Sequence, residues 1–348
     1  MGILLVRGSL GGATDFRRCA RHGGAAALAL VLALLPRPGH AQALGSQREG
    51  TSSGTFLRIG VGARAEGMGE TFVAVANDPS AIYWNPAGLA SLQKTEAFAS
   101  HVDWPADVRY DHLALSIPSQ KLGGSIGFQF GALTTSIDET TDLQPYGTGR
   151  QFTYSDVLIG VAYARRWTDK LLVGAGVKYV REDLGSQVGG PLTNAVLFDV
   201  GSLFYLGLGS IRIGTALSNF GPEMRPSGSY ISPYTGEVRQ YDGFDPPMVL
   251  NFGLAFEPVE NSSQRLTTSF EMSQPADNQQ QLRAGVEWAL HRTFMLRTGM
   301  NFNADAMKFS AGLGVVSNFA QLRGTFDYAY TDGGDFGSIN RFSLGVRF

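Results

Sequence analysis

Few side chains in this sequence could make or break bonds. The single cysteine, Cys19, lies in a leader-like stretch, so the rest of the chain has no thiol nucleophile, disulfide or cysteine metal site. Beyond that stretch the histidines are His101, His112 and His291, and none stands at a spacing that sets it beside a nucleophile or a second metal ligand. Gly60-Val61-Gly62 and Gly67-Met68-Gly69 have the glycine density of a dinucleotide fingerprint. No strand-helix-strand unit surrounds them, so close packing of the chain explains them better. The expectation is a non-enzymatic protein with no cofactor and no metal.

Recognition is better represented. The stretch from Phe220 to Pro246 sets Tyr230, Tyr234, Tyr241 and Phe244 among Pro, Gly and Ser. Rigid aromatics on a loop suit a protein or glycan surface, and equally a loop that folds over its own mouth. A second group is charged: Arg283, Lys308 and Arg341; then Glu271, Glu287 and Asp327; then Arg297, Arg323 and Arg347. Read on strands, they fall into three layers facing one interior, where cross-strand salt bridges stiffen the wall or, less simply, select ions.

The elements that position these residues are strands. Only 17% of the 348 residues are charged, while 45 are glycine and 22 phenylalanine, a balance that disfavours a generic soluble enzyme and favours short strands with tight turns. Residues 1–43 read as a cleaved signal peptide: Arg17, Arg18 and Arg21, an apolar run from Ala25 to Leu35, then Ala41-Gln42-Ala43. Its removal takes five Arg and one Asp and leaves a net charge of −6, with no basic face for nucleic acid.

After Ala43 no apolar run is long enough for a transmembrane helix. Strict alternation recurs instead. Phe342, Leu344, Val346 and Phe348 interleave with Arg341, Ser343, Gly345 and Arg347, and the pattern repeats at 247–256, 281–290 and 307–316. None of those apolar faces carries a charge, as a lipid-facing wall requires, since one charge near the bilayer midplane costs about 2–4 kcal/mol.

Fourteen such segments are expected, near 96–103, 110–117, 123–132, 153–166, 171–181, 195–206, 211–219, 247–256, 265–273, 281–290, 294–303, 307–316, 320–330 and 340–348. Short gaps follow even-numbered strands, and several long ones follow odd-numbered strands. The fold class is therefore all-β: a 14-stranded antiparallel transmembrane β-barrel in a bacterial outer membrane, lipid around it, both termini periplasmic. Phe348, a terminal aromatic on an alternating strand, reads as the assembly signal for the barrel assembly machinery.

Residues 44–95 break the strand pattern. The segment is rich in Gly and Ala, and Asp78-Pro79-Ser80 reads as a helix start that Asn85-Pro86 stops. Small residues on every side suit a hatch folded into the lumen of the barrel formed by residues 96–348.

The stretch from Phe56 to Ala90, with its Asn85-Pro86-Ala87-Gly88, closely resembles the N-terminal signature of the PorV/PorQ family and, more distantly, the hatch of FadL-type transporters. The resemblance implies a FadL-like outer-membrane barrel with Asp78, Asn85, Pro86, Ala87 and Gly88 as hatch motif. In the PorV branch it also implies a part in type IX secretion, binding the C-terminal signal of cargo and a translocon. Protein export is the function expected, and transport of hydrophobic small molecules the alternative. The polar loop from Leu133 to Phe152 counts against an apolar ligand groove.

Overall fold

A computed structural model describes residues 50–141, 143–304, 306–319 and 322–348. The signal-peptide reading of residues 1–43, Cys19 included, lies outside the described residues, as do 44–49 of the expected hatch.

The strands are β1 (Glu96–Trp104), β2 (Val108–Ser119), β3 (Gly124–Asp138), β4 (Gln151–Arg166), β5 (Leu171–Asp183), β6 (Leu192–Tyr205), β7 (Arg212–Phe220), β8 (Ser229–Ile231), β9 (Val238–Gln240), β10 (Val249–Glu260), β11 (Gln264–Pro275), β12 (Gln281–Leu290), β13 (Phe294–Phe302), β14 (Phe309–Phe319), β15 (Leu322–Asp332) and β16 (Ser338–Arg347). Fourteen close into one antiparallel barrel, each paired with the next barrel strand along the chain, β7 with β10 included, and β16 pairs with β1 from Glu96↔Arg347 to Asp103↔Asn340. β8 and β9 form a separate hairpin. Closure leaves no free sheet edge, which is what a spanning sheet needs where no water can satisfy its backbone.

The alternation sets the face of each side chain. Along β16, Arg341 and Ser343 are buried while Phe342 and Leu344 are exposed. Leu113, Phe128, Phe130, Ile159, Leu313 and Phe326 likewise stand exposed on the outside. So large an apolar surface is unfavourable in water and suits a hydrocarbon surround. No helix among the described residues is long and apolar enough to cross a membrane.

The two rims differ. Turns such as His291–Arg292, where both residues take left-handed φ of 50° and 53°, join strands tightly at one end. The long connections 139–150, 184–191 and 221–248 all leave the other end.

Residues 51–95 run through the lumen from one rim to the other. They form a 3-10 turn at Thr55–Arg58, helical turns at Ala63–Gly67 and Ala81–Trp84, and a second 3-10 turn at Pro86–Ser91. Asp78 starts the second helical turn, its Oδ1 accepting from Ser80 N at 3.0 Å, and Asn85 ends it with an extended φ of −158°.

The described start of this segment lies at the long-loop rim. Ser53 N donates to Asp245 O and Gly54 N to Glu182 Oε1, both acceptors at the long-loop rim. At the opposite rim Phe348 N donates to Thr95 O. The described chain therefore begins and ends at opposite mouths.

Candidate functional site

The inner segment divides the lumen. On the long-loop side lies a chamber of about 590 Å³. Phe56, Tyr83, Trp84, Trp104, Leu133 and Tyr154 line one side of it, and Ser273, Gln281, Arg283, Asn301 and Ser310 the other. On the short-turn side a cavity of about 620 Å³ is lined by Asn77, Gln93, Lys94, Glu96, Arg323 and Arg347, among others. Between them Val61, Met68, Phe72, Val73, Ala81, Ala87 and Leu89 are fully buried.

Glycines in the wall let the segment come so close. A Cβ at Gly201 would lie 2.1 Å from Asn85 Oδ1, one at Gly174 2.5 Å from Ala87 N, and one at Gly214 2.4 Å from Val73 O. Across the lumen, one at Gly285 would lie 2.2 Å from Met68 O and one at Gly299 2.1 Å from Gly69 N. At all of these inward positions except Gly201, which faces the Asn85 side chain, bare backbone faces backbone. Much of the glycine content thus serves a close approach of two chains rather than turns.

Polar side chains fix the segment at this distance, and Arg64 holds most. Its guanidinium donates to both oxygens of Glu287 at 2.8 and 3.1 Å, to Asn77 Oδ1 at 2.6 Å and to Asp78 Oδ2 at 3.0 Å, and it lies over the Phe72 ring at 5.2 Å. Burial pulls against this charge, but Glu287 and Asp78 outweigh it and raise its pKa. Arg297 joins Glu287 at 2.8 Å to Asp327 at 2.7 Å. Nearer the chamber, Glu70 meets Arg283 at 2.7 Å and Glu66 meets Arg341 at 3.2 Å. Burial pushes the Glu66 carboxyl up to about 8 while Arg341 opposes the shift. Around the ring, Arg58 pairs with Asp277 at 2.7 Å, Thr71 Oγ1 meets Ser269 Oγ at 2.6 Å, Glu271 accepts from Val73 N at 3.0 Å, and Arg212 Nε donates to Ala74 O at 2.7 Å.

The layered charges of the sequence reading are thus brought together, but their partners differ from those expected. Arg283, Arg341 and Glu287 bond to the inner segment as well as to, or instead of, neighbouring strands. Arg347 pairs with Glu96 at 2.6 Å, and Lys308 stands exposed at the chamber rim. Arg64, Glu66 and Glu70 were not singled out in the sequence. The signal available was three charges within seven residues of an otherwise apolar, small-residue segment.

Asn85 is fully buried. Its Nδ2 donates to Val73 O at 2.8 Å and to Ser202 O at 3.0 Å, and its Oδ1 accepts from Ala87 N at 3.1 Å, capping the turn that Pro86 opens. Gly88 packs against Ala76, whose carbonyl oxygen lies 2.3 Å from where a Cβ would stand. Asp78 lies apart from these four, on Arg64.

The loop aromatics do not act as one group. Tyr230 on β8 and Tyr241 just after β9 meet as a tilted pair with ring centroids 5.3 Å apart, Tyr234 at the hairpin tip is 96% exposed, and Phe244 pairs through its backbone with Met224. His101 lies between Asp103 and Asp111, His112 is buried with Nε2 3.2 Å from Gln129 Oε1, and His291 occupies a turn. No group of three or more His, Cys, Asp or Glu that could hold a metal occurs among the described residues.

A family described as an uncharacterised protein family (UPF0164) has a model that matches residues 39–178, less than half of the chain. No curated protein matches. Among solved structures, the chain is similar to the toluene transporter TodX of Pseudomonas putida, with 16% identity and a TM-score of 0.52 over 83% of this chain and 98% of that one. It is similar to the toluene transporter TbuX of Ralstonia pickettii at 13% identity and a TM-score of 0.51, over 83% and 97% of the two chains. For the monoaromatic hydrocarbon channel CymD the values are 13% and 0.54, with the same shares covered. At such identities the likeness is one of fold, that of outer-membrane channels; none of these matches carries the PorV or PorQ name.

Proposed function

We propose that this chain is an outer-membrane channel for small molecules with substantial apolar surface, taken into the long-loop chamber and released at the short-turn side when the inner segment shifts. One observation carries this reading. The partition between the two cavities is a single covalent segment held to the wall by side-chain bonds and backbone contact, outside the hydrogen-bonded barrel, so it can move without opening the sheet. The aromatic side of the chamber suits an apolar body, and the fold is shared with proteins described as hydrocarbon channels. In this orientation the long loops are extracellular and Asp78, Asn85, Pro86, Ala87 and Gly88 belong to the hatch.

Thr71 and Ser269 provide the test. Their oxygens lie 2.6 Å apart, so cysteines at both positions can form a disulfide between segment and wall. Uptake of toluene or a long-chain fatty acid by cells bearing the T71C/S269C channel should stop on oxidation and return on reduction. Uptake unaffected by the lock would refute a moving hatch.

The exposed hairpin favours a second reading, binding of export cargo or a translocon at the cell surface. Ile231, Tyr234 and Val238 are uncovered there beside the Tyr230–Tyr241 pair. Replacing Tyr230, Tyr234, Tyr241 and Phe244 with Ser separates the two: lost secretion with normal uptake supports export, and normal secretion supports the channel.

A further inference from the structure

The barrel wall holds two buried carboxylates side by side, and neither forms an ion pair among the described residues. Asp156 on β4 stands directly opposite Glu182 on β5, and Glu182 directly opposite Thr193 on β6. All three point inward, with exposures of 2%, 5% and 0%. Asp156 Oδ2 accepts from the Tyr154 hydroxyl at 3.1 Å, but Asp156 Oδ1 is buried with no hydrogen-bond partner, and so is Thr193 Oγ1. Glu182 is held by two neutral donors from the inner segment, Ser53 Oγ and Gly54 N, each at 2.7 Å.

Among the described residues the nearby cations pair elsewhere: Arg225, next to Thr193's bridge partner Pro226, meets Glu223 at 3.7 Å. Lys178 binds Asp199 at 2.7 Å, Arg58 binds Asp277 at 2.7 Å, and Arg181, half exposed, reaches only Asp183 at 3.9 Å. Like charges directly opposite across a sheet destabilise it, and a buried charge needs a partner. A positive charge would relieve this row, and the two orphaned oxygens, of Asp156 and Thr193, stand on strands either side of Glu182.

We infer that Asp156, Glu182 and Thr193, with the Tyr154 hydroxyl, form a site for a hard divalent cation of the calcium type. The donors are all oxygen, two carboxylates with neutral hydroxyls, which is the chemistry such ions take and which excludes soft, thiolate-seeking metals. Asp156 and Tyr154 also line the long-loop chamber, so an ion can arrive from that side. Only two carboxylates contribute, a low charge count that places the dissociation constant at about 10⁻⁴ to 10⁻³ M. Because Glu182 also grips Ser53 and Gly54, the ion would fasten the beginning of the inner segment to the wall.

Terbium luminescence on the purified full-length barrel in detergent tests this, because tyrosine beside a bound Tb³⁺ sensitises its emission. One saturable Tb³⁺ site per chain, displaced by Ca²⁺, is expected. Asp156→Asn and Glu182→Gln should each weaken it at least tenfold, while Asp335→Asn, in a loop turn, leaves it unchanged. Heat-modifiable migration on gels shows whether each variant has folded. In the unaltered protein Ca²⁺ at a few millimolar should raise the thermal midpoint, a measurement that needs no variant. A site that survives Asp156→Asn, or no Ca²⁺ effect on emission and midpoint, overturns the inference. So does an infrared carboxylic-acid band that Asp156→Asn abolishes and Ca²⁺ leaves in place, because the pair then shares a proton.

Discussion

Gly299→Ala should loosen the inner segment more than any comparable change in the wall. The added Cβ would sit 2.1 Å from Gly69 N, 2.3 Å from Met68 C and 2.4 Å from Gly69 Cα, all backbone. The turn it strikes cannot yield locally. Gly69 already holds φ +67°, and Gly69 N→Glu66 O and Glu70 N→Ala65 O bonds tie it at 2.8 and 3.0 Å. Relief must come from withdrawal of the segment by roughly 1 Å, which stretches the 2.7 Å Glu70–Arg283 contact. Overpacking of this kind costs about 1–3 kcal/mol, and such an energy multiplies the undocked population by about 5- to 150-fold. Gly324→Ala is the control, since its Cβ would meet nothing nearer than Ser317 O at 3.9 Å. Planar-bilayer recordings should show longer or larger openings for Gly299→Ala than for Gly324→Ala. Indistinguishable conductance and thermal midpoints in the two variants would refute the claim that backbone contact holds the segment closed.

Arg64→Ala should raise conductance in the same assay, because it frees Glu287, Asn77 and Asp78 at once; Arg64→Lys should rescue only in part, lacking the fork that spans both Glu287 oxygens. Asn85→Ala removes a cap and two further bonds, so the thermal midpoint should fall by the equivalent of about 1–2 kcal/mol with the barrel's circular dichroism unchanged. Glu66 binds its proton more tightly when docked than when free, so its contribution to docking is complete below about 4.5 and is lost as pH rises through about 8; Glu66→Gln should flatten that slope of stability against pH. Deleting Phe348, whose N–H closes the end of the barrel on Thr95 O, should lower the fraction inserted into the membrane, measured by surface proteolysis.

The strands are legible because each carries its environment in its own residues. In Phe309 to Val315 every second side chain suits lipid, and no distant partner is needed to see it, although Met307, expected on the same face, precedes β14 and lines the chamber. The same alternation contains the lumen glycines, Gly253, Gly285 and Gly312 among them, but a missing side chain does not reveal what takes its place. Their purpose depends on residues some 200 positions upstream, such as Val73 and Met68. The charge layers show the same limit. Arg283 and Arg341 have opposite charges on adjacent strands, so a wall-only network looks complete until Glu70 and Glu66 reach them. Asn85-Pro86 is readable as a stop to a helix, since that is local chemistry. The rise of the segment's start to Glu182 is not, because nothing in Ser53-Gly54 names its acceptor.

That the described chain begins at one mouth and ends at the other also bears on the order of assembly. The sheet becomes a cylinder only when β1 meets β16, and the inner segment is covalently joined to β1 at Thr95. Either the segment already lies along the curling sheet when that last seam zips, acting as the mandrel around which it rolls, or it must afterwards be threaded through a finished ring. The first route sets the wall glycines against their partners while the sheet can still flex. The second drags Arg64, Glu66 and Glu70 through a narrow bore lined with their own counter-charges, each a potential snag along the way.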